Sequence, residues 1–178
     1  MTALDPLPED VASEATDVND AGDVVGSSWW YTTQFFSAKG ATLWRDGGAE
    51  VVDLGYVPAP PWSCSIEPRW HKSITRAINN RGQIVGDAMC VASGAAQDAF
   101  LWQDGVMHNL NDLDPSDSGW DFIKATDIND AGQIVGIGGI ATWRAFFRVR
   151  CPREAQGPLI GGLLSTRSVN SLSLILCK

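Results

Sequence analysis

The chain has 178 residues, 44% of them hydrophobic and 19% charged, and a formal net charge of −8. That length supports one ordinary domain with a core, and the apolar fraction is that of a globular protein rather than a disordered one. The excess of acid leaves no cationic patch to displace counterions, which argues against nucleic acid and anionic membrane surfaces as partners.

The first residues, MTALDPLPEDVASEA, hold no positive region and no apolar run, so the sequence as read shows no secretory signal. No segment approaches the roughly 18 apolar residues of a membrane span. ATDVNDAGDVVG follows at 15–26, and it returns as RAINNRGQIVG at 76–86 and as ATDINDAGQIVG at 125–136. In each copy an Asn can accept a bond from the backbone two residues on, and a Gly three residues later supplies a positive φ. The β-branched flanks make this strand, type I turn with a glycine bulge, strand. The turn pairs are Asn19/Gly22, Asn79/Gly82 and Asn129/Gly132. A calcium-loop reading of DVNDAGD at 17–23 is the poorer one. A ligand position is occupied by Ala21 in the first copy, Ala77 in the second and Ala131 in the third.

A second segment follows each hairpin: ATLWRDGGAEVVDLG at 41–55, AFLWQDGVMHNLNDL at 99–113, and AFFRV at 145–149, where the match stops. Asp46-Gly47 and Asp104-Gly105 read as tight turns, with Val51–Leu54 and Met107–Leu110 as returning strands. Trp44 and Trp102 take equivalent positions and read as core aromatics between sheets. The unit is therefore four short antiparallel strands, and the turn asparagines are 60 and then 50 residues apart. A period of that size with four strands per unit marks a β-propeller-like blade, which buries its faces only by stacking on neighbours.

The predicted class is all-β: tandem four-stranded antiparallel units, in an incomplete or open array because only two units are full. A β-trefoil or β-prism-like threefold arrangement is the alternative. The repeat domain spans 1–149, with units at about 15–75, 76–124 and 125–149, the last partial. Residues 150–178 lie outside the repeat; either Val169–Leu176 supplies a closing strand or the segment stays disordered. An open array leaves sheet edges through which copies can self-associate.

The connections carry the aromatic residues. Residues 27–36 read as a loop bearing Trp29, Trp30 and Tyr31. In the insertion at 55–75, Pro58, Pro60 and Pro61 forbid a regular strand, and Trp62, Glu67, Arg69, Trp70 and His71 gather there. Residues 114–121 bring Asp117, Trp120 and Asp121. Loops of successive repeats share one face, often the binding face. Trp29, Trp30, Tyr31, Trp62, Trp70 and Trp120 are thus the candidate ligand-stacking residues, suited to sugar rings; packing beneath the loops is the competing use.

Cys64 and Cys90 flank the second hairpin, either as a disulfide or as unpaired thiols. The spacing from Cys64 to His71 is not that of a zinc site. His108 falls inside a strand and reads as packing. No nucleophile elbow, metalloprotease helix, phosphate loop or dinucleotide glycine pattern occurs. No catalytic residue, metal or cofactor is assigned. The expected function is a non-enzymatic β-repeat module for binding a protein or a carbohydrate. The alternatives are a carbohydrate-binding domain using the Trp-rich loops, and a fragment of a propeller hydrolase or lyase with a carboxylate pair such as Asp117 and Asp121.

The order IN-x-x-GQIVG, then AFLW-x-x-G, then a returning strand resembles the bacterial HAF-repeat family over about residues 15–149. The resemblance implies β-propeller-like units and an extracellular or cell-surface location, and no established activity. The histidine of the family's name is absent: the matching triplets are Gly40-Ala41-Thr42, Asp98-Ala99-Phe100 and Arg144-Ala145-Phe146.

Overall fold

The structure is a computed structural model that describes residues 3–31, 37–57, 71–90, 97–114, 118–140, 143–150 and 173–175. It is all-β, in four-stranded units. The first sheet orders β1 (Ala12–Val18), β2 (Val24–Tyr31), β3 (Ser37–Arg45) and β4 (Glu50–Asp53), all antiparallel. The second repeats the pattern with β5 (His71–Ile78), β6 (Ile84–Cys90), β7 (Gln97–Gln103) and β8 (Val106–Asn109). The third pairs β9 (Trp120–Ile128), β10 (Gln133–Ile140) and β11 (Trp143–Arg150) antiparallel, and β12 (Ser173–Ile175) lies parallel to β11 in the fourth place.

The Asn-x-x-Gly turns form as their chemistry requires. The Gly22, Gly82 and Gly132 amides donate to the carbonyls of Asn19, Asn79 and Asn129 at 3.0, 3.0 and 2.9 Å. Each glycine has positive φ, between 71° and 85°. The Asp104-Gly105 turn has both residues at positive φ, as a two-residue hairpin of the twist-matching type requires.

The glycine that ends each VVG or IVG run has a separate cause. At Gly26, Gly86 and Gly136 a Cβ would overlap the carbonyl of Glu14, Ile74 and Lys124 across the ladder. The register slips by one residue beside each of them, so a β-bulge presses the partner backbone onto the glycine. Phe100 and Phe147 lie over Gly86 and Gly136.

That contact corrects the third triplet. Gly26 pairs with Thr42, Gly86 with Phe100, and Gly136 with Phe147 rather than Phe146. The third unit therefore aligns as Ala145-Phe146-Phe147. Ring packing over the bulge glycine, invisible to a string match, sets the register.

Consecutive sheets pack face to face. Val25, Ala41 and Leu43 of the first sheet share a core with Ile84, Phe100 and Trp102 of the second. Val85, Ala99 and Leu101 on the other face of the second share a core with Phe122, Ile134 and Phe147 of the third. The middle sheet is covered on both faces, so Ile84 and Val85, which point to opposite sides, are both fully buried. Trp44 and Trp102 are both buried, but only Trp102 lies between two sheets; Trp44 is covered by the N-terminal segment instead. Among the described residues the sheets follow one another in chain order and form no closed barrel or ring.

Among the described residues the N-terminal segment, residues 3–10, and not another sheet, lies over the leading face of the first sheet. Trp44 Nε1 donates to the Asp5 carbonyl at 2.6 Å, the Leu7 amide to Ser28 Oγ at 3.1 Å, and Ser13 Oγ to the Leu4 carbonyl at 2.8 Å. Leu7 sits over Gly40 and Leu4 over Gly48. Thr42, where the second sheet has the larger Phe100, suits a thin strap of chain rather than a second sheet, and Ser28, where the second sheet has Ala88, supplies the hydroxyl that accepts the Leu7 amide.

Two readings of local structure are corrected. Residues 27–31 are not loop: β2 continues through Trp29 and Trp30 to Tyr31, because aromatic side chains favour a strand paired on both sides. The returning strand of the second unit stops at Asn109, not Leu110. Asn109 Oδ1 accepts the Asn111 amide at 2.9 Å and caps a single helical turn, α1 (Leu110–Leu113).

Candidate functional site

Each β1–β2-type turn lies at one end of the stack, and the β2–β3, β4–β5, β6–β7, α1–β9 and β10–β11 connections leave from the other. The two ends differ in chemistry.

At the turn end, asparagines link the units. Asn79 Oδ1 accepts the Arg81 and Gln83 amides, both at 3.0 Å, and its Nδ2 donates to Gln83 Oε1 at 2.7 Å and to the Asn129 carbonyl at 3.0 Å. Asn19 Nδ2 reaches the Asn79 carbonyl in the same way, at 3.3 Å. One residue on, the Asp20 amide donates to Asn80 Oδ1 and the Asn80 amide to Asp130 Oδ1, both at 2.8 Å. Asn80 Nδ2 bridges Asp20 Oδ2 at 2.8 Å and Asp130 Oδ2 at 3.0 Å. The Asn80 amide, and then its side chain, hold the Asp130 carboxyl below the usual range. The main-chain links of the ladder have a direction: the first and second turns donate forward to the next, while Asn80 Nδ2 also donates back to Asp20.

The oxygens of the weighed calcium loop are therefore engaged elsewhere. Asn19 Oδ1 accepts the Ala21 and Asp23 amides, and Asp17 Oδ2 accepts the Ile78 amide at 2.9 Å. Among the described residues no group of three or more His, Cys, Asp or Glu side chains is placed to hold a metal. Sequence reasoning identified Asn19, Asn79 and Asn129 as turn formers and missed that the same side chains join the sheets. The signal was available: the residue after each turn Asn is again Asp or Asn (Asp20, Asn80, Asp130).

At the loop end, Trp29 and Trp30 are half-buried near the close of β2, and Tyr31 ends that strand. The Trp30 indole nitrogen is buried with no hydrogen-bond partner among the described residues. Trp120 opens β9, not a loop. Its ring stacks on Phe122, with centroids 6.0 Å apart and planes 8° from parallel, and covers Gly138. Phe122 meets Phe147 edge-on at 4.6 Å, so Trp120 packs against the core between the second and third sheets. Trp62, Trp70, Cys64 and Asp117 lie outside the described residues; Cys90 ends β6. His108 is half-buried in β8, paired with Leu101.

A polar cluster also sits at this end. Asn111 of α1 donates to Asp98 Oδ1 at 3.1 Å and to the Phe122 carbonyl at 3.1 Å, and its Oδ1 accepts the Phe122 amide at 2.7 Å. One amide side chain thus ties the second sheet to the third. Burial pushes the Asp98 carboxyl up, the Asn111 bond opposes this, and the nearby Asp121 charge adds to it. Among the described residues no helix is long and apolar enough to cross a membrane.

No curated protein and no solved structure matches the chain. The family model described as a protein of unknown function, DUF3466, matches residues 8–154, which takes in β1 through β11. With most of its length inside that match, the chain belongs to the DUF3466 family.

Proposed function

We propose that the chain is a non-enzymatic β-repeat module, with propeller-like stacking of its units, whose loop end binds a partner. The observation that supports this is the division of labour between the ends. The polar residues shared by the repeats are engaged in turn and inter-unit bonds, Asn79 and Asn80 above all. The residues that differ between units collect where the strands leave for their longer connections. The resemblance to HAF-repeat proteins favours an extracellular or cell-surface setting.

The placement of aromatic residues at the loop end favours a carbohydrate as the ligand. Trp29 and Trp30 are consecutive in β2 there and present one indole to each face of the sheet, and an indole offers an apolar face to a sugar ring. The test is retention of the chain on an oligosaccharide array, followed by titration of the best binder against tryptophan fluorescence. The expected result is a saturable shift that Trp29→Ala and Trp30→Ala reduce at least tenfold while the circular dichroism stays unchanged. Release of new reducing ends from any array member would overturn the non-enzymatic reading. Absence of retention by every oligosaccharide would remove the sugar reading and leave a protein as the partner.

A further inference from the structure

We infer that the outer face of the third sheet, the one turned away from the second, is the docking face for the chain's own connection between β11 and β12, residues 151–172. That segment lies outside the described residues. The surface is separate from the loop end and does not rest on the carbohydrate reading.

Three observations carry it. The first is apolar bulk on a face that has no sheet over it. Val135 takes the place of Val25 and Val85, and Phe146 that of Ala41 and Ala99. Those four are 0% exposed, covered by the next sheet; Val135 is 37% and Phe146 82% exposed. Ile137, paired with Phe146, is half-buried and stands where the first two sheets have Ser27 and Asp87. A face left to water would be more polar than its buried counterparts, and this one is more apolar.

The second is the path of the chain. β11 ends at Arg150, opposite Gln133 and so beside the third turn, yet β12 runs parallel to it, with Ser173 beside Arg148 and Ile175 beside Arg150. The chain therefore leaves at the turn end, travels back, and re-enters in the same direction. A parallel neighbour is reached by a crossover of about a dozen residues or more, laid over a face of the sheet, and residues 151–172 are long enough. The face toward the second sheet is closed to them, because Ile134 and Phe147 are packed there in the shared core. A detour round the sheet edge would leave Leu159, Ile160, Leu163 and Leu164 in water. The outer face accommodates both the path and the apolar run.

The third is fit. Where sheet packs on sheet, a ring of the following sheet fills the space over an alanine: Phe100 shares a core with Ala41, and Phe147 with Ala99. At the outer face the ring belongs to the sheet itself, as Phe146, and residues 151–172 contain no aromatic side chain. They carry instead small residues around an apolar run, GPLIGGLL at 157–164. The opposite end of the stack is finished in the same way, with Leu4 and Leu7 of the N-terminal segment over Gly48 and Gly40. A second copy fits less well. Its first sheet has its leading face closed by residues 3–10, and its third sheet would set Phe146 against Phe146.

The experiment is hydroxyl-radical footprinting of the full chain, read by mass spectrometry, at about 1 and about 100 μM, a range that brackets micromolar self-association. The expected result is a Phe146 ring protected equally at both concentrations. Leu163→Asp combined with Leu164→Asp raises Phe146 oxidation severalfold, with unchanged circular dichroism. In the reverse direction, Phe146→Asp speeds tryptic cleavage after Arg167 about tenfold, because the protease reads the population in which the segment is off the sheet. Val106→Asp, at an exposed valine in β8, changes neither readout. A wild-type Phe146 oxidised as fast as in the doubly substituted chain overturns the inference. So does protection that appears only at the higher concentration, which would assign the face to a second copy, or tryptic cleavage that Phe146→Asp leaves unchanged.

Discussion

Asn79→Ala and Asn129→Ala delete the same side chain from the same turn, yet the structure assigns them different costs. Asn79 is 3% exposed and makes four side-chain bonds, one of them to the next sheet. Alanine there leaves the Gln83 amide and Gln83 Oε1 without partners in a region that water does not easily reach, and takes from the Asn129 carbonyl the bond that joins it to the second sheet, leaving it only the Gly132 amide. At roughly 1 kcal/mol for each neutral bond, with more for a buried group left unpaired, the loss is about 3–4 kcal/mol. Asn129 makes three bonds, all within its own exposed turn. Water replaces them, and the cost is that of a lost cap, about 1 kcal/mol. The assay is urea unfolding followed by tryptophan fluorescence and circular dichroism. With a slope of about 2 kcal/mol per molar urea, the midpoint falls by about 1.5–2 M for Asn79→Ala and about 0.5 M for Asn129→Ala. Equal midpoint losses for the two would show that the turn, not the link between sheets, uses the amide, and the ladder would lose its energetic meaning.

Gly86→Ala and Gly82→Ala separate close approach from backbone conformation. A Cβ at Gly86 would meet Phe100 at 2.7 Å and overlap the Ile74 carbonyl, whereas Gly82 has open space and a φ of 72°. Thermal melts should show Gly86→Ala lost to aggregation or lowered by more than about 10 °C, and Gly82→Ala lowered by about 3 °C. Asn80→Asp would replace the neutral bridge with a third carboxylate, set between those of Asp20 and Asp130. Its melting midpoint should fall at low salt and recover in about 0.5 M sodium chloride, where exposed charges are screened; a salt-independent loss would count against the bridge. The pH dependence should also reverse. In the wild type the Asp130 carboxyl sits low, so its contribution is present above the ordinary Asp value and is lost as pH falls through the folded value. In Asn80→Asp the crowded carboxylates are held above that value, and stability rises as pH falls. Asp98 behaves oppositely to wild-type Asp130: its folded value is raised, so the folded state binds the extra proton and stability declines as pH rises from the ordinary Asp value through the raised one. Asp98→Asn keeps the oxygen that accepts from Asn111 and should flatten that decline, measured as urea midpoints from pH 4 to 7; an unchanged slope would remove Asp98 as its source.

The hairpins were legible because their cause is local. An Asn that closes on its own backbone and a Gly at positive φ need only four residues, so Asn19, Asn79 and Asn129 could be placed from the sequence with their partners. The buried tryptophans were legible for a related reason: Trp44 and Trp102 fall at the same step of the same strand. What sequence did not show were contacts between units. Gly136 looks like an ordinary strand residue until Phe147 is seen over it, and that ring fixes the register the string match placed one residue early. Trp29 and Trp30 follow two serines and read as loop, but a strand paired on both sides carries them. Trp120 read as a ligand-facing residue because it follows a Gly- and Ser-rich stretch; its ring lies on Phe122, which no pattern within the loop could have shown.

The forward sense of the asparagine ladder has a consequence for how the chain is made. The first and second turns leave the ribosome holding donors whose acceptors have not yet been synthesised, and Asn19 waits for Asn79, 60 residues behind it. Until then the first sheet has one face closed by its own strap, residues 3–10, and the other open to the exit port. Synthesis from the N-terminus thus supplies the units in the order in which their forward bonds need them, and each newly finished sheet covers the open face of its predecessor.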